Sequence, residues 1–222
     1  YSYAHVPWIK PYQRSFKDSD LPSPEMKLKL FEEAYKTCTK NGYQLIGMDH
    51  FARQEDELTQ ALKERTIHRN FMGYSTRGDD HQIGFGVSAI SKVNGNYYQN
   101  KKELPDYYEA LQQEGQLTTF RGYHLTQDDK IRQDLIQNIM CHGYLHIPSF
   151  EKKWTISFRK YFAESLPFLQ TFVDDHLMDF TEKEIQVKGE GFLFYRNIAM
   201  VFDPYLKGIR ENSKTPVFSR TV

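Results

Sequence analysis

The chain has 222 residues, and 29 Lys and Arg are balanced by 29 Asp and Glu, so the formal net charge is zero and no global field draws it to nucleic acid or an anionic membrane. No apolar run approaches the roughly 20 residues needed to cross a bilayer. The two cysteines, Cys38 and Cys141, stand in no metal spacing, which argues against a disulfide scaffold and for a reducing, cytoplasmic setting.

In chain order, residues 1–8 read as a short strand with Tyr1, Tyr3 and His5 alternating and Pro7 stopping it. This opening lacks a Met and already looks like a strand entering a loop, so a fragment of something longer is expected. A polar, basic stretch to Pro22 predicts a long loop, either a functional cover or a disordered tie. Ser23, Pro24 and Glu25 are a helix start, Leu28, Leu30, Phe31, Ala34 and Tyr35 recur at helical spacing, and Asn41-Gly42 ends the helix. A strand at 43–48 follows and delivers a polar loop, Asp49 to Arg53. Strand, helix, strand predicts a parallel sheet, with ligand loops at the carboxyl ends near His5, Asp49–Arg53 and Ile90.

After a charged amphipathic segment (Glu55 to Arg65) and the stretch His68 to Tyr74, a turn at Arg77 to Asp80 leads to a third buried-looking run, Ile83 to Ile90, containing Gly84 and Gly86. Asn94-Gly95 predicts a hairpin, Leu104 to Gln113 a helix, and Thr126 to Asp129 a capping box opening a helix that ends near Gly143. The boundary is placed so that residues 1–122 form one unit and 123–222 a second. In the second, helices over 150–161 and 162–174, a two-stranded ribbon of 177–180 with 185–187, and a last helix from Phe192 to about Leu206 resemble a winged-helix arrangement. The polar tail from Lys207 is expected to be mobile.

Three constellations carry candidate chemistry. Asp49 beside His50 at a strand end suits an acid/base pair, or equally a helix cap with a hydrogen-bonded imidazole. Arg53, Arg65, Arg69 and Arg77 crowd one region, and guanidinium forks suit carboxylate or phosphate. Cys141, His142 and His146 tempt as metal ligands, but Gly143 and Pro148 break the helix that would align them, and no metal site is assigned. Basic residues at 152–160 would suit a nucleic acid, whereas Asp174, Asp175, Asp179, Glu182 and Glu184 would repel one.

Long runs carry a resemblance: Tyr3-Ala4-His5, Lys17-Asp18 with Asp20 to Pro24, Gly42-Tyr43-Gln44 with Ile46 to Ala52, His68-Arg69-Asn70-Phe71, Gly86 to Ser91, Arg196-Asn197-Ile198 with Phe202-Asp203, and Phe218-Ser219-Arg220. Together they resemble the oxygen-independent coproporphyrinogen III oxidases of bacteria, which are radical S-adenosylmethionine enzymes. The resemblance implies an α/β (α+β) fold, in which the C-terminal part of a partial (β/α) barrel is followed by a mainly helical, winged-helix-like domain. It implies oxidative decarboxylation of two propionates of coproporphyrinogen III to the vinyls of protoporphyrinogen IX. A deoxyadenosyl radical would abstract a propionate hydrogen, and carbon dioxide and one electron to an acceptor would then be lost.

The family's cofactors are S-adenosylmethionine and a four-iron four-sulfur cluster. Its Cys-x-x-x-Cys-x-x-Cys loop has no counterpart here, so the chain resembles the C-terminal half, expected to be inactive alone and to lack its N-terminal half. Ala4 and Ile90 resemble positions contacting S-adenosylmethionine, and Phe71 resembles an aromatic near a second such molecule. Met72 stands where the family pattern has Gln. The catalytic residues are not assigned. Coproporphyrinogen III and an electron acceptor are the implied partners, with no nucleic acid and no membrane. The isolated chain is expected to dimerise through its exposed barrel face. Two other readings are a porphyrin- or haem-binding module without catalysis and a winged-helix nucleic-acid binder.

Overall fold

A computed structural model describes residues 3–78 and 81–206. Two 3-10 turns, Pro11–Ser15 and Asp18–Asp20, punctuate the opening segment. Helix α1 (Pro24–Lys40) starts where Ser23 Oγ accepts from Met26 N, with Pro24 in its first turn. Strands β1 (Tyr43–Gly47) and β2 (His50–Arg53) form an antiparallel hairpin turning at Met48, which has a φ of 52°, and Asp49. The polar residues expected as a loop beyond a parallel strand therefore form the returning strand of a hairpin.

Among the described residues every strand pairing is antiparallel. The partner expected for 43–48 is not formed, because residues 3–8 make no strand. Their backbone is held by one side chain: Gln13, 6% exposed, accepts from Val6 N at 2.6 Å and donates to Ala4 O at 3.1 Å. A buried amide thus does the work of a neighbouring strand.

Helix α2 (Glu57–Glu64), capped by Asp56, leads to the short hairpin of β3 (His68–Arg69) and β4 (Tyr74–Ser75). Strands β5 (Ile90–Val93), β6 (Asn96–Asn100) and β7 (Thr119–Tyr123) form a three-stranded sheet, with the Asn94-Gly95 turn as expected and α3 (Leu104–Gln112) between β6 and β7. The run Ile83 to Ala89 is a correction: it is neither a strand nor buried, for Phe85 is 89% exposed. Gly86, at a φ of 100°, and Ser88, at 61°, turn the backbone. Asn100 Nδ2 donates to Gly84 O and Gly86 O at 3.2 and 2.9 Å, beside the backbone bonds from Ser88 N to Lys101 O and from Asn100 N to Ala89 O.

From Thr126 onward the packing is denser. Helix α4 (Gln127–His142) opens with the expected capping box of Thr126 and Asp129 and ends at Gly143, with a φ of 58°. It is followed by β8 (Tyr144–His146), α5 (Ile147–Trp154), α6 (Phe158–Tyr161), α7 (Leu166–Asp174), β9 (Met178–Phe180) and β10 (Glu184–Val187). The sheet order β8, β10, β9, with a helix before β8 and helices between β8 and β9, is a winged-helix arrangement. The ribbon of β9 and β10 was legible; the third strand, β8, was not. The last helix is shorter than expected: a 3-10 segment, Gly189–Phe194, precedes α8 (Tyr195–Met200).

A large core formed by Leu135, Ile139, Phe158, Phe162, Ile198 and Phe202 with their neighbours holds this second part, while a smaller cluster of Ile46, Ala52, Ala61, Ile67, Tyr74 and Cys141 holds the first. The expectations for Asp79, Asp80, the tail from Lys207 and the Phe218-Ser219-Arg220 match fall outside the described residues. Among the described residues no helix is long and apolar enough to cross a membrane.

Candidate functional site

A cavity of about 1180 Å³ opens between the two parts. One wall is the β3–β4 hairpin and its flanks with Lys92 and Tyr97 of the β5–β6 hairpin; the other is α4, β8 and α5. The walls are joined by α4 side chains. Gln137 pairs with β3 as a strand would, accepting from Arg69 N at 3.3 Å and donating to Arg69 O at 2.6 Å. Gln133 donates to Tyr97 Oη. Tyr74 Oη donates to Met140 O at 3.1 Å, satisfying a last-turn carbonyl of α4 that has no partner within the helix.

The lining is strongly cationic. Among the described lining residues, Arg65, Arg69, Arg77, Lys92, Lys130 and Lys153 face one carboxylate, Asp134, in a chain whose formal net charge is zero. Asp134 accepts from Trp154 Nε1 at 2.6 Å and pairs with Lys153 at 2.8 Å. Arg65 lies over the Tyr144 ring, 4.2 Å from its centroid, and Arg69 over Tyr74 at 5.7 Å. Phe71, Tyr97, Phe150 and Trp154 add apolar, flat surface, Phe71 packing edge-on to Tyr97. A wide, half-enclosed groove with cations and aromatic faces suits a large planar ligand bearing several negative charges.

His142 sits on the α4 side. Burial, with the nearby charges of His68 and Arg65 adding to it, pushes its pKa down to about 4, the Cys141 backbone pulling weakly the other way. Among the described residues neither His142 Nδ1 nor Arg69 Nε, both buried, finds a hydrogen-bond partner.

The residues singled out from sequence divide. Arg65, Arg69 and Arg77 come together in the groove; Arg53 does not, lying near Glu55 and the Tyr43 ring. Asp49 and His50 are paired at 2.9 Å in the β1–β2 hairpin, with His50 edge-on to Tyr74. Phe71 lines the groove and is 56% exposed; Met72 beside it is 79% exposed; Ala4 is exposed and Ile90 half-buried at the start of β5, neither lining the groove.

Cys141 does not join His142 and His146. Its thiol donates to Gln137 and is pushed up to about 12 by burial, while His146 Nδ1 is 2.8 Å from Ser149 Oγ at the start of α5. Among the described residues no three of His, Cys, Asp and Glu are placed to hold a metal ion, so these residues do not fit an iron–sulfur cluster. Sequence reasoning missed Gln133, Asp134 and Gln137. The spacing of Gln133 and Gln137, four apart on one α4 face with Asp134 three before Gln137, was visible, but nothing in it separates a groove wall from a solvated face.

No family model matches the chain. Over all 222 residues it is 46% identical to the oxygen-independent coproporphyrinogen III oxidase of Escherichia coli (strain K12), and it covers 48% of that protein. It is 40% identical to the protein of the same name from Pseudomonas aeruginosa, covering 47% of it. The solved structure titled "Coproporphyrinogen III oxidase (HemN) from Escherichia coli is a Radical SAM enzyme" superimposes with a TM-score of 0.86 at 48% identity, over 91% of this chain and 46% of that one. The chain thus spans about half the length of the curated relatives it matches, and what it matches is their C-terminal half.

Proposed function

We propose that this chain, homologous along its whole length to the C-terminal half of oxygen-independent coproporphyrinogen III oxidases, is the corresponding half of such an enzyme. The reaction is the oxidative decarboxylation of two propionates of coproporphyrinogen III, giving protoporphyrinogen IX in haem biosynthesis. The observation that carries this reading is the combination of 46% identity over every residue with a TM-score of 0.86. The groove supports it physically, since a flat tetracarboxylate matches cations and aromatic faces better than a neutral or cationic ligand does.

When bound, S-adenosylmethionine and an iron–sulfur cluster supply the radical chemistry of such an enzyme. The described residues do not fit the cluster, and no step is derived through it. The upstream half provides its cysteines. We assign Ala4, Phe71, Met72 and Ile90 to S-adenosylmethionine contact through backbone and apolar groups, a reading supported for Ala4 and Ile90 by the fixing of their backbone by Gln13 and by the β5–β6 pairing. What this half contributes itself is binding and orientation of the substrate and exclusion of water from one side of it.

We place the division of the two parts near residue 122, with Cys141 of α4 reaching back into the first part's cluster and Met48 packing against the second's. An electron acceptor completes the reaction, and the setting is cytoplasmic, in keeping with the free thiols of Cys38 and Cys141. A nucleic acid is disfavoured because acidic side chains lie among the basic ones of the winged-helix part, Glu182 pairing with Arg159 at 2.7 Å, Asp134 with Lys153 and Asp179 with Lys188.

The test is anaerobic turnover by the protein in its full natural length, cluster reconstituted, with S-adenosylmethionine, a reductant and an electron acceptor, the tetrapyrrole products separated after oxidation. Protoporphyrin is expected from the full-length protein and none from residues 1–222 alone. A reconstituted full-length protein that makes none, yet binds haem stoichiometrically through a histidine, would replace this reading with the binding module.

A further inference from the structure

We infer that Arg65, His68, Arg69 and His142 form a carboxylate subsite at one end of the groove, anchoring a propionate of the substrate that is retained rather than one that is lost. The inference rests on the function proposed above for the identity of the ligand, but the subsite itself stands on the cluster.

All four residues line the cavity, and they come from separate elements: the end of α2, strand β3 and the end of α4. Two of their nitrogens, Arg69 Nε and His142 Nδ1, are buried with no hydrogen-bond partner among the described residues, and such groups are ordinarily met by a bound water, ion or ligand. Burial first, and then the charges of His68 and Arg65, disfavour the protonated form of His142, so the imidazole shares its pocket with cationic groups. Among the described residues no carboxylate serves the cluster, since Asp134, the one acid in the described lining, is engaged by Trp154 and Lys153. A ligand carboxylate supplies what is missing: acceptor oxygens for the guanidinium groups and a charge that draws a proton back to His142.

Such a carboxylate does not react. Loss of carbon dioxide goes faster from a carboxylate that is poorly solvated, and ion pairing with guanidinium groups has the opposite effect. The cluster therefore fixes an arm that survives, and with it the rotation of the macrocycle that presents another arm to the radical. These are positioning residues.

The experiment titrates coproporphyrin III, the oxidised tetracarboxylate, into the full-length protein by fluorescence, using wild type, Arg65→Gln, Arg65→Lys and Arg69→Gln, each checked for folding by circular dichroism. Removing one charge should weaken binding roughly 10- to 100-fold, as expected for a lost charge-assisted hydrogen bond. Arg65→Lys should restore part of it, and the tetramethyl ester should bind wild type and variants alike. In turnover KM should rise by a larger factor than kcat falls.

Equal binding of the acid by wild type and both Gln variants, or an equal loss for the ester, overturns the subsite. A fall in kcat at constant KM overturns the anchoring role and assigns the cluster to the reacting arm. Wild type that binds the acid and loses affinity on substitution, but never decarboxylates, removes the function proposed above and leaves the subsite. Decarboxylation with unaltered variants does the reverse.

Discussion

The joint between the two parts can be tested at Gly47 and Tyr74. Tyr74 is 9% exposed, and its hydroxyl donates to Met140 O. A Cβ added at Gly47 would meet the Tyr74 ring, with Cζ at 2.7 Å, and would press on the hydroxyl as well. Gly47→Ala should therefore cost about 1–3 kcal/mol by overpacking. Tyr74→Ala removes a buried ring and leaves the Met140 carbonyl unsatisfied, at about 3–5 kcal/mol. Independent effects would add. Here they should not, because the added methyl occupies space that the missing ring vacates, and alanine suits a strand better than glycine by about 0.5–1 kcal/mol. The double variant should be no less stable than Tyr74→Ala alone, a coupling of about 1–3 kcal/mol. Tyr74→Phe, which removes only the hydroxyl, should cost about 1–2 kcal/mol. Urea unfolding followed by circular dichroism measures all four. Additivity within about 0.5 kcal/mol would refute the close approach of Gly47 to Tyr74 and with it the account of this joint.

Three further outcomes follow from particular contacts. Gly143→Ala should destabilise by about 2 kcal/mol or more by urea unfolding, since the residue has a φ of 58° and the new methyl would lie 2.8 Å from Tyr195 Cε1. His142, held down from 6.5 to about 4 by burial with His68 and Arg65, is protonated more readily in the unfolded chain. Its contribution is complete above about pH 7 and lost as pH falls through 6.5 toward 4; the shift alone bounds it near 3 kcal/mol, and solvent reaching the ring reduces that to about 1–2 kcal/mol. His142→Gln should flatten that part of the stability profile, and an unchanged profile would refute the assignment. The isolated chain should self-associate in sedimentation, because among the described residues the large apolar side chains left exposed after Tyr123 are Phe168, Phe194 and Tyr205, while many more precede it. A strictly monomeric profile would contradict this.

What was legible in the sequence was local. Ser23 with Pro24, Thr126 with Asp129, Asn94 with Gly95 and Gly143 each marks an element end through chemistry confined to a few residues, and each is found where its signal stands. The winged-helix order also followed from periodicity, though β8, three residues long, is too short to show any. The failures concern partners. An alternating or apolar run announces that a backbone wants a strand beside it, without saying what comes. For the groove, the arginines could be suspected from crowding, but the neutral face of α4 that completes it could not, for Gln133 and Gln137 read as ordinary solvated positions.

The same cause underlies the errors at both ends of the first part and explains why the groove exists. Residues 1–8 and 83–90 were read as strands; over 83–89 the bonds are mixed, with Asn100 Nδ2 donating to Gly84 O and Gly86 O and the backbone of Asn100 and Lys101 taking Ala89 O and Ser88 N, whereas in the opening segment the buried Gln13 uses its amide as a one-residue strand. Gln137 does the same for Arg69 from across the groove. An amide offers one donor side and one acceptor side, so it can close a short stretch of backbone without the continuous ladder that would force two segments flush together. Where a ladder would have zipped β3 to its neighbour, a single glutamine on a helix holds it by one residue and leaves open space on either side. The cavity and its cationic lining persist because the two walls are pinned at a few points, Gln137 to Arg69, Gln133 to Tyr97 and Tyr74 to Met140, instead of being packed along their length.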